Sequence, residues 1–164
     1  MKTILVLEDD PSNMQVLSTM LRSSDCRVLE ATTGKEALDL QNGPIDLLIS
    51  DVSVPVLSGT EVALELNKSH PATAILFVSG TPMSAWNRRD RQNFQRLPPD
   101  RVDFLEKPFR AAALLDKVSG LIEGRAHHGL TITAPPTFGQ EESNKKILGG
   151  EEVSWFRNKP FNRS

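Results

Sequence analysis

Five short apolar runs punctuate the first 122 residues, and amphipathic stretches fill the intervals between them. The runs are Ile4–Leu7, Arg27–Ala31, Ile45–Ser50, Ala74–Ser79 and Asp103–Glu106. Pro11 and Ser12 open a helix whose Met14, Leu17, Met20 and Leu21 share one face. Thr33-Gly34-Lys35-Glu36 has capping-box spacing ahead of Ala37, Leu38 and Leu40. Gly43-Pro44 breaks the chain before the third run. A loop with Pro55 and Gly59 follows it, and Val62, Ala63, Leu64 and Leu66 then mark another helix. Pro82–Leu97 is highly charged and reads as helical, ended by Pro98-Pro99. Arg110–Ile122 closes the pattern, with Leu114, Leu115, Val118 and Leu121 spaced for one face.

Strands alternating with helices predict an α/β fold, a doubly wound five-stranded parallel sheet with helices on both faces. The unbroken apolar stretch Leu47–Ile49 is what a strand covered on both sides requires. Open sheets of this kind bind ligands beyond the carboxyl ends of their strands. The last residues of each strand are therefore where chemistry is sought.

The regular pattern stops near Arg125. Residues 1–124 read as one domain, and 125–164 as an irregular tail with Pro135-Pro136 and Gly149-Gly150 and no recognisable output domain. A net charge of −2 gives no reason to expect a nucleic-acid surface. Cys26 is the only cysteine, which excludes an internal disulfide or a cysteine-based metal cluster. The amino-terminal run is too short for a signal peptide, and no apolar run is long enough to span a bilayer. The expectation is a cytoplasmic protein with no membrane partner.

Four runs end in polar residues: Glu8-Asp9-Asp10 after the first, Asp51 after the third, Ser79-Gly80 at the fourth and Lys107-Pro108 after the fifth. In the expected sheet these ends converge on one edge. Crowded carboxylates are costly there unless a cation joins them, and hard oxygen donors suit Mg²⁺. Ser79 can donate to a phosphoryl oxygen, Lys107 can neutralise another, and Gly80 leaves room for the incoming group. The set suits phosphoryl transfer onto a carboxylate. Each piece alone reads as an ordinary loop, turn or strand exit, and only the ordered combination points to a site.

That combination resembles the receiver domain of bacterial response regulators. Ile4-Leu5-Val6-Leu7-Glu8-Asp9-Asp10 is similar to the family's first-strand acid motif. Leu47-Leu48-Ile49-Ser50-Asp51 with Pro55 and Gly59 is similar to its phosphoacceptor strand and loop. Phe77-Val78-Ser79-Gly80 and Phe104-Leu105-Glu106-Lys107-Pro108-Phe109 are similar to its hydroxyl and lysine motifs. The resemblance covers about residues 2–123. It implies the flavodoxin-like strand order 2-1-3-4-5, Asp51 as phosphoacceptor, and Mg²⁺ held by Glu8, Asp9, Asp51 and the backbone carbonyl of Ser53. It further implies Ser79 and Lys107 on the phosphoryl group, Phe104 as the switch aromatic, and a cis Lys107–Pro108 bond.

The function so implied is a stand-alone receiver in a two-component or phosphorelay pathway. It would not turn over an external substrate. A histidine kinase or histidine phosphotransfer protein would supply the phosphoryl group. The output would be a downstream protein bound through residues 80–109, or a phosphorylation-dependent homodimer. The Gly80–Val102 segment is longer than the family usually carries, with Trp86, Arg88, Arg89, Arg91 and Arg96 around Asp90. As a charge run it also reads as a solvated helix face. Phe104 stands where tyrosine is commoner in the family. Two other functions compete with this one. The first is a receiver-like interaction module that is never phosphorylated. The second is an aspartyl-phosphate enzyme, which needs an acid two residues past its nucleophile, where this chain has Ser53.

Overall fold

The computed structural model describes residues 1–22 and 26–124. Expectations placed on the tail, including those for His127, His128 and Trp155, lie outside the described residues. The strands are β1 (Lys2–Leu7), β2 (Cys26–Ala31), β3 (Leu47–Asp51), β4 (Ala74–Ser79) and β5 (Val102–Glu106). The helices are α1 (Pro11–Arg22), α2 (Gly34–Asp39), α3 (Gly59–Ser69), α4 (Arg88–Gln95) and α5 (Ala111–Ile122). All pairings are parallel, in the order β2-β1-β3-β4-β5. Both the doubly wound architecture and the strand order agree with expectation.

Residue parity along the strands assigns each side chain to a helical layer. Leu5, Leu7, Leu48, Ile75 and Phe77 pack with Ala37, Val62, Ala63, Leu66 and Phe94, so α2, α3 and α4 cover that face. Ile4, Val6, Leu47, Ile49, Leu76 and Val78 pack with Met14, Leu17, Leu21, Leu114 and Val118, so α1 and α5 cover the other. On α1 the expected face is buried, with Met20 only half-covered and Ser18 added to it.

Two caps differ from the sequence pattern. At α2 the Thr33 side chain accepts from the Glu36 amide, but Glu36 reaches back to Thr32 rather than Thr33. The complete capping box sits at α3, where Ser58 and Glu61 satisfy each other's backbone amides, an arrangement worth about 1 kcal/mol. Gly59, just inside that helix, is sterically obligatory. A Cβ there would lie 1.9 Å from the Asp51 carbonyl oxygen and 2.3 Å from Ser50 Oγ.

The charged segment after β4 is where the fold departs most from a solvated helix. It divides into a 3₁₀ turn at Met83–Ala85 and the eight-residue α4. Trp86, between them, is only 4% exposed. Asp90 is buried, although it lies among arginines. Its carboxylate accepts from Ser58 Oγ at 2.8 Å, from Thr60 Oγ1 and from Asn87 Nδ2, while Asn93 Nδ2 donates to Thr60 Oγ1 at 3.1 Å. This network ties α4 to α3, and an Arg89–Glu61 ion pair spans the same two helices. Asp90→Ala would strand the buried Thr60 hydroxyl and the half-buried Ser58 hydroxyl. It should lower stability by about 2–3 kcal/mol in chemical denaturation. A loss below about 0.5 kcal/mol would show that apolar packing alone holds α4.

Candidate phosphoacceptor site

The acidic triplet after β1 divides into three roles. Glu8 turns inward and is 1% exposed. Asp9 is exposed. Asp10 caps α1, its Oδ1 accepting from the amides of Ser12 and Asn13 at 2.8 and 2.9 Å. Asp51 is the last residue of β3, one position later than the sequence run suggested. Because Ser50 pairs with Leu7, Asp51 comes level with Glu8 at the end of β1.

Lys107 joins the two carboxylates. Its Nζ lies 2.6 Å from Glu8 Oε2 and 2.7 Å from Asp51 Oδ2. The remaining oxygens are also engaged. Glu8 Oε1 accepts from the Asp10 amide and Asn13 Nδ2, both at 3.3 Å, and Asp51 Oδ1 accepts from the Ser53 amide at 2.8 Å. Burial would pull the Lys107 ammonium down in pKa. The hydrogen bonds and negative charge of Asp51 and Glu8 outweigh burial and hold it above its usual value. The Lys107–Pro108 bond is cis, as expected.

Ser79 ends β4 fully buried, and its Oγ accepts from the Thr81 amide at 3.1 Å. Val78 pairs with Asp51, so Ser79 sits one residue further along the same edge. The Lys107 amide donates to the Ser79 carbonyl at 2.8 Å, which fixes the lysine's backbone beside the hydroxyl. A Cβ on Gly80 would meet nothing within 4 Å, so the structure shows no steric demand for glycine there. Phe104 is half-buried, its ring edge-to-face with Trp86 at 5.3 Å. Ser53 is exposed. Asn13 and Thr81 were not singled out in the sequence. Each touches a site residue through a short local hydrogen bond that spacing alone does not reveal.

The geometry thus brings Glu8, Asp51 and Lys107 into contact, with Ser79 adjacent and Asp9 and Ser53 on the rim. Among the described residues no three His, Cys, Asp or Glu side chains converge as a ready metal cluster. Mg²⁺ does not need one, because it typically takes one or two carboxylates, waters and phosphate oxygens. Glu8 and Asp51 already face a shared cation, the Lys107 ammonium, so the donor set fits a hard divalent ion in kind. Beside Lys107, Asn13, Val16, Leu17, Met20, Pro108 and Phe109 line a largely apolar groove.

Residues 4–119 match the family model of the response regulator receiver domain. The chain is 34% identical over 125 residues to the sensor kinase CckA of Brucella abortus, across 74% of this chain and 12% of that protein. It is 31% identical over 109 residues to the response regulator GtcR of Aneurinibacillus migulanus, across 66% of this chain and 42% of that one. It therefore spans less than half the length of these two curated relatives. Among solved structures it resembles chemotaxis protein CheY4 of Vibrio cholerae, with a TM-score of 0.64, 27% identity and coverage of 74% and 98% of the two chains. A CheY-like receiver of Methanospirillum hungatei, at TM-score 0.66, 22% identity and coverage of 75% and 94%, shares the fold. Receivers of this family switch by phosphorylation, typically bind Mg²⁺ at an acidic pocket, and interact with histidine kinases and downstream effectors. With the family model covering most of the described domain and the acid, hydroxyl and lysine residues gathered at one sheet edge, this chain belongs to the response-regulator receiver family of two-component signalling.

Proposed function

We propose that this receiver accepts a phosphoryl group on Asp51 from a phosphohistidine on a kinase or phosphotransfer protein, and that acceptance changes which partner it binds. The observation that carries this reading is the Glu8–Lys107–Asp51 contact. An Asp51 carboxylate oxygen attacks phosphorus, the bond to the donor nitrogen breaks, and an acyl phosphate remains. Lys107 and the Ser79 hydroxyl bind oxygens of the transferred group. Glu8, Asp9, Asp51 and the Ser53 carbonyl would hold Mg²⁺, which neutralises charge on those oxygens. The groove beside Lys107 would seat the donor protein. As receivers generally do, the domain would act on its own acyl phosphate and not on an external substrate. The test is incubation with acetyl phosphate and Mg²⁺, followed by intact-mass measurement. A single base-labile, hydroxylamine-sensitive addition is expected. No addition would favour the interaction module that is never phosphorylated.

Metal binding makes a separate prediction. Mg²⁺ should raise the melting temperature in proportion to site occupancy. Asp9→Ala should abolish that rise, since an exposed carboxylate contributes little else. Equal Mg²⁺ sensitivity in both proteins would remove Asp9 from the site.

The domain boundary is likewise a proposal. What supports it is that α5 ends at Ile122, with Glu123 as its C-cap and Gly124 at φ +67°. Truncation after Gly124 should leave a folded receiver that labels at the full-length rate. Insoluble truncated protein would make the tail part of the fold.

A further inference from the structure

Trp86 occupies a position that its sequence neighbourhood conceals. It lies among arginines, yet its ring meets Phe77 at 6.0 Å, Phe94 at 5.8 Å and Phe104 at 5.3 Å, each edge-to-face. Phe77 and Phe104 are cross-strand partners on β4 and β5. By parity Ser79 belongs to the same face as Phe77. The indole also reaches back towards the hydroxyl. Trp86 Nε1 donates to the Thr81 carbonyl at 3.0 Å, and the Thr81 amide donates to Ser79 Oγ at 3.1 Å. Thr81 therefore holds the serine hydroxyl through its amide and the indole through its carbonyl. The outer end is anchored as well: Arg91 donates to the carbonyls of Ser84 and Trp86 at 3.1 and 2.8 Å. An unbroken series of contacts runs from Ser79 through Thr81 and Trp86 to Phe104, and through Arg91 into α4.

We propose that Trp86 is a positioning residue that couples Ser79 to Phe104 and α4, so that a phosphoryl group at Asp51 moves the aromatic cluster as one body. This rests on Asp51 being the acceptor. When the Ser79 hydroxyl turns to a phosphoryl oxygen, the Thr81 amide follows its acceptor and the Thr81 carbonyl carries the indole with it. Phe104 is half-buried and meets Trp86 edge-to-face at 5.3 Å, so a displaced indole takes the Phe104 ring with it. The switch aromatic then reports through a tryptophan, and the long segment after β4 exists to place that tryptophan.

The test uses the full chain, with beryllofluoride and Mg²⁺ as a phosphoryl mimic and backbone amides followed by NMR. In wild type, amides at the site (Ser53, Lys107) and in the output region (Arg91, Phe94, Phe104) should all shift. Trp86→Phe keeps an aromatic ring and removes the indole donor. It should leave the site shifts intact and cut the output shifts by at least about threefold, the scale of coupling one residue can carry. Output shifts of wild-type size in that variant would overturn the coupling. Site shifts missing from wild type would overturn the Asp51 assignment, and the coupling with it. Should Trp86→Phe not fold, Trp155→Phe leaves Trp86 as the sole tryptophan of the chain's two. Its emission should then respond to the mimic, and an unchanged emission in mimic-saturated protein would overturn the proposal.

Discussion

Asp51→Asn is expected to reduce acetyl-phosphate labelling to background, a loss of at least about a hundredfold, while the domain stays folded. The amide keeps an oxygen for the Ser53 amide but presents no carboxylate nucleophile to phosphorus. Lys107 retains its 2.6 Å contact with Glu8, so the stability cost should stay within about 1–2 kcal/mol. Labelling of the Asn variant at the wild-type level would move the acceptor elsewhere. The nearest alternative is Glu8, and peptide mapping of the adduct would identify it.

Lys107→Met should produce the largest stability loss of any single substitution at the site. Methionine keeps the apolar stem and deletes the only cation bonded to Glu8 and Asp51 among the described residues. Removing one partner from a buried ion pair costs about 3–5 kcal/mol. The partial exposure of Lys107 and Asp51 reduces the expectation here to about 2–3 kcal/mol. Two features distinguish this from lost packing. Mg²⁺ should stabilise the variant more than wild type, since a divalent ion replaces the missing charge. The pH dependence should differ as well. The folded-state pKa of Lys107 is raised, so its contribution is fully present below the ordinary lysine pKa of about 10.4. It is lost as pH rises through the elevated value. The stability gap between wild type and variant should therefore be flat across neutral pH and close in strong alkali. A gap that persists there would assign the loss to packing.

The sheet and its working edge were readable in the sequence because each depends on local pattern. Apolar runs of four to six residues followed by Glu8, Asp51, Ser79 or Lys107 place the strand ends almost to the residue. The third run was misplaced by one or two residues because Ile45 is apolar and buried yet precedes β3. Residues 80–97 were harder to read because their arginines dominate the composition. What buries Trp86 is Phe77 and Phe104, and what buries Asp90 is Ser58 and Thr60, all contributed by other elements. Such contacts join residues up to 32 positions apart, and no helical or strand period records them. The three acids after β1 were equally opaque. Their separation into an inward carboxylate, a rim residue and a helix cap depends on where α1 starts.

Gly59 has one more consequence. With α3 pressed against the Asp51 carbonyl too closely for any side chain, the main chain of the proposed acceptor is clamped between a helix and two neighbouring strands. Such a clamp works like a machinist's vice. Under the proposed function, whatever adjustment an acyl phosphate demands would fall on the side-chain torsions of Asp51 and on the residues opposite it, not on β3. The strand is then a fixed datum against which the movable residues after β4 register their displacement. A larger residue at position 59 would push against the Asp51 carbonyl itself and move that reference, so labelling and signalling should fail together.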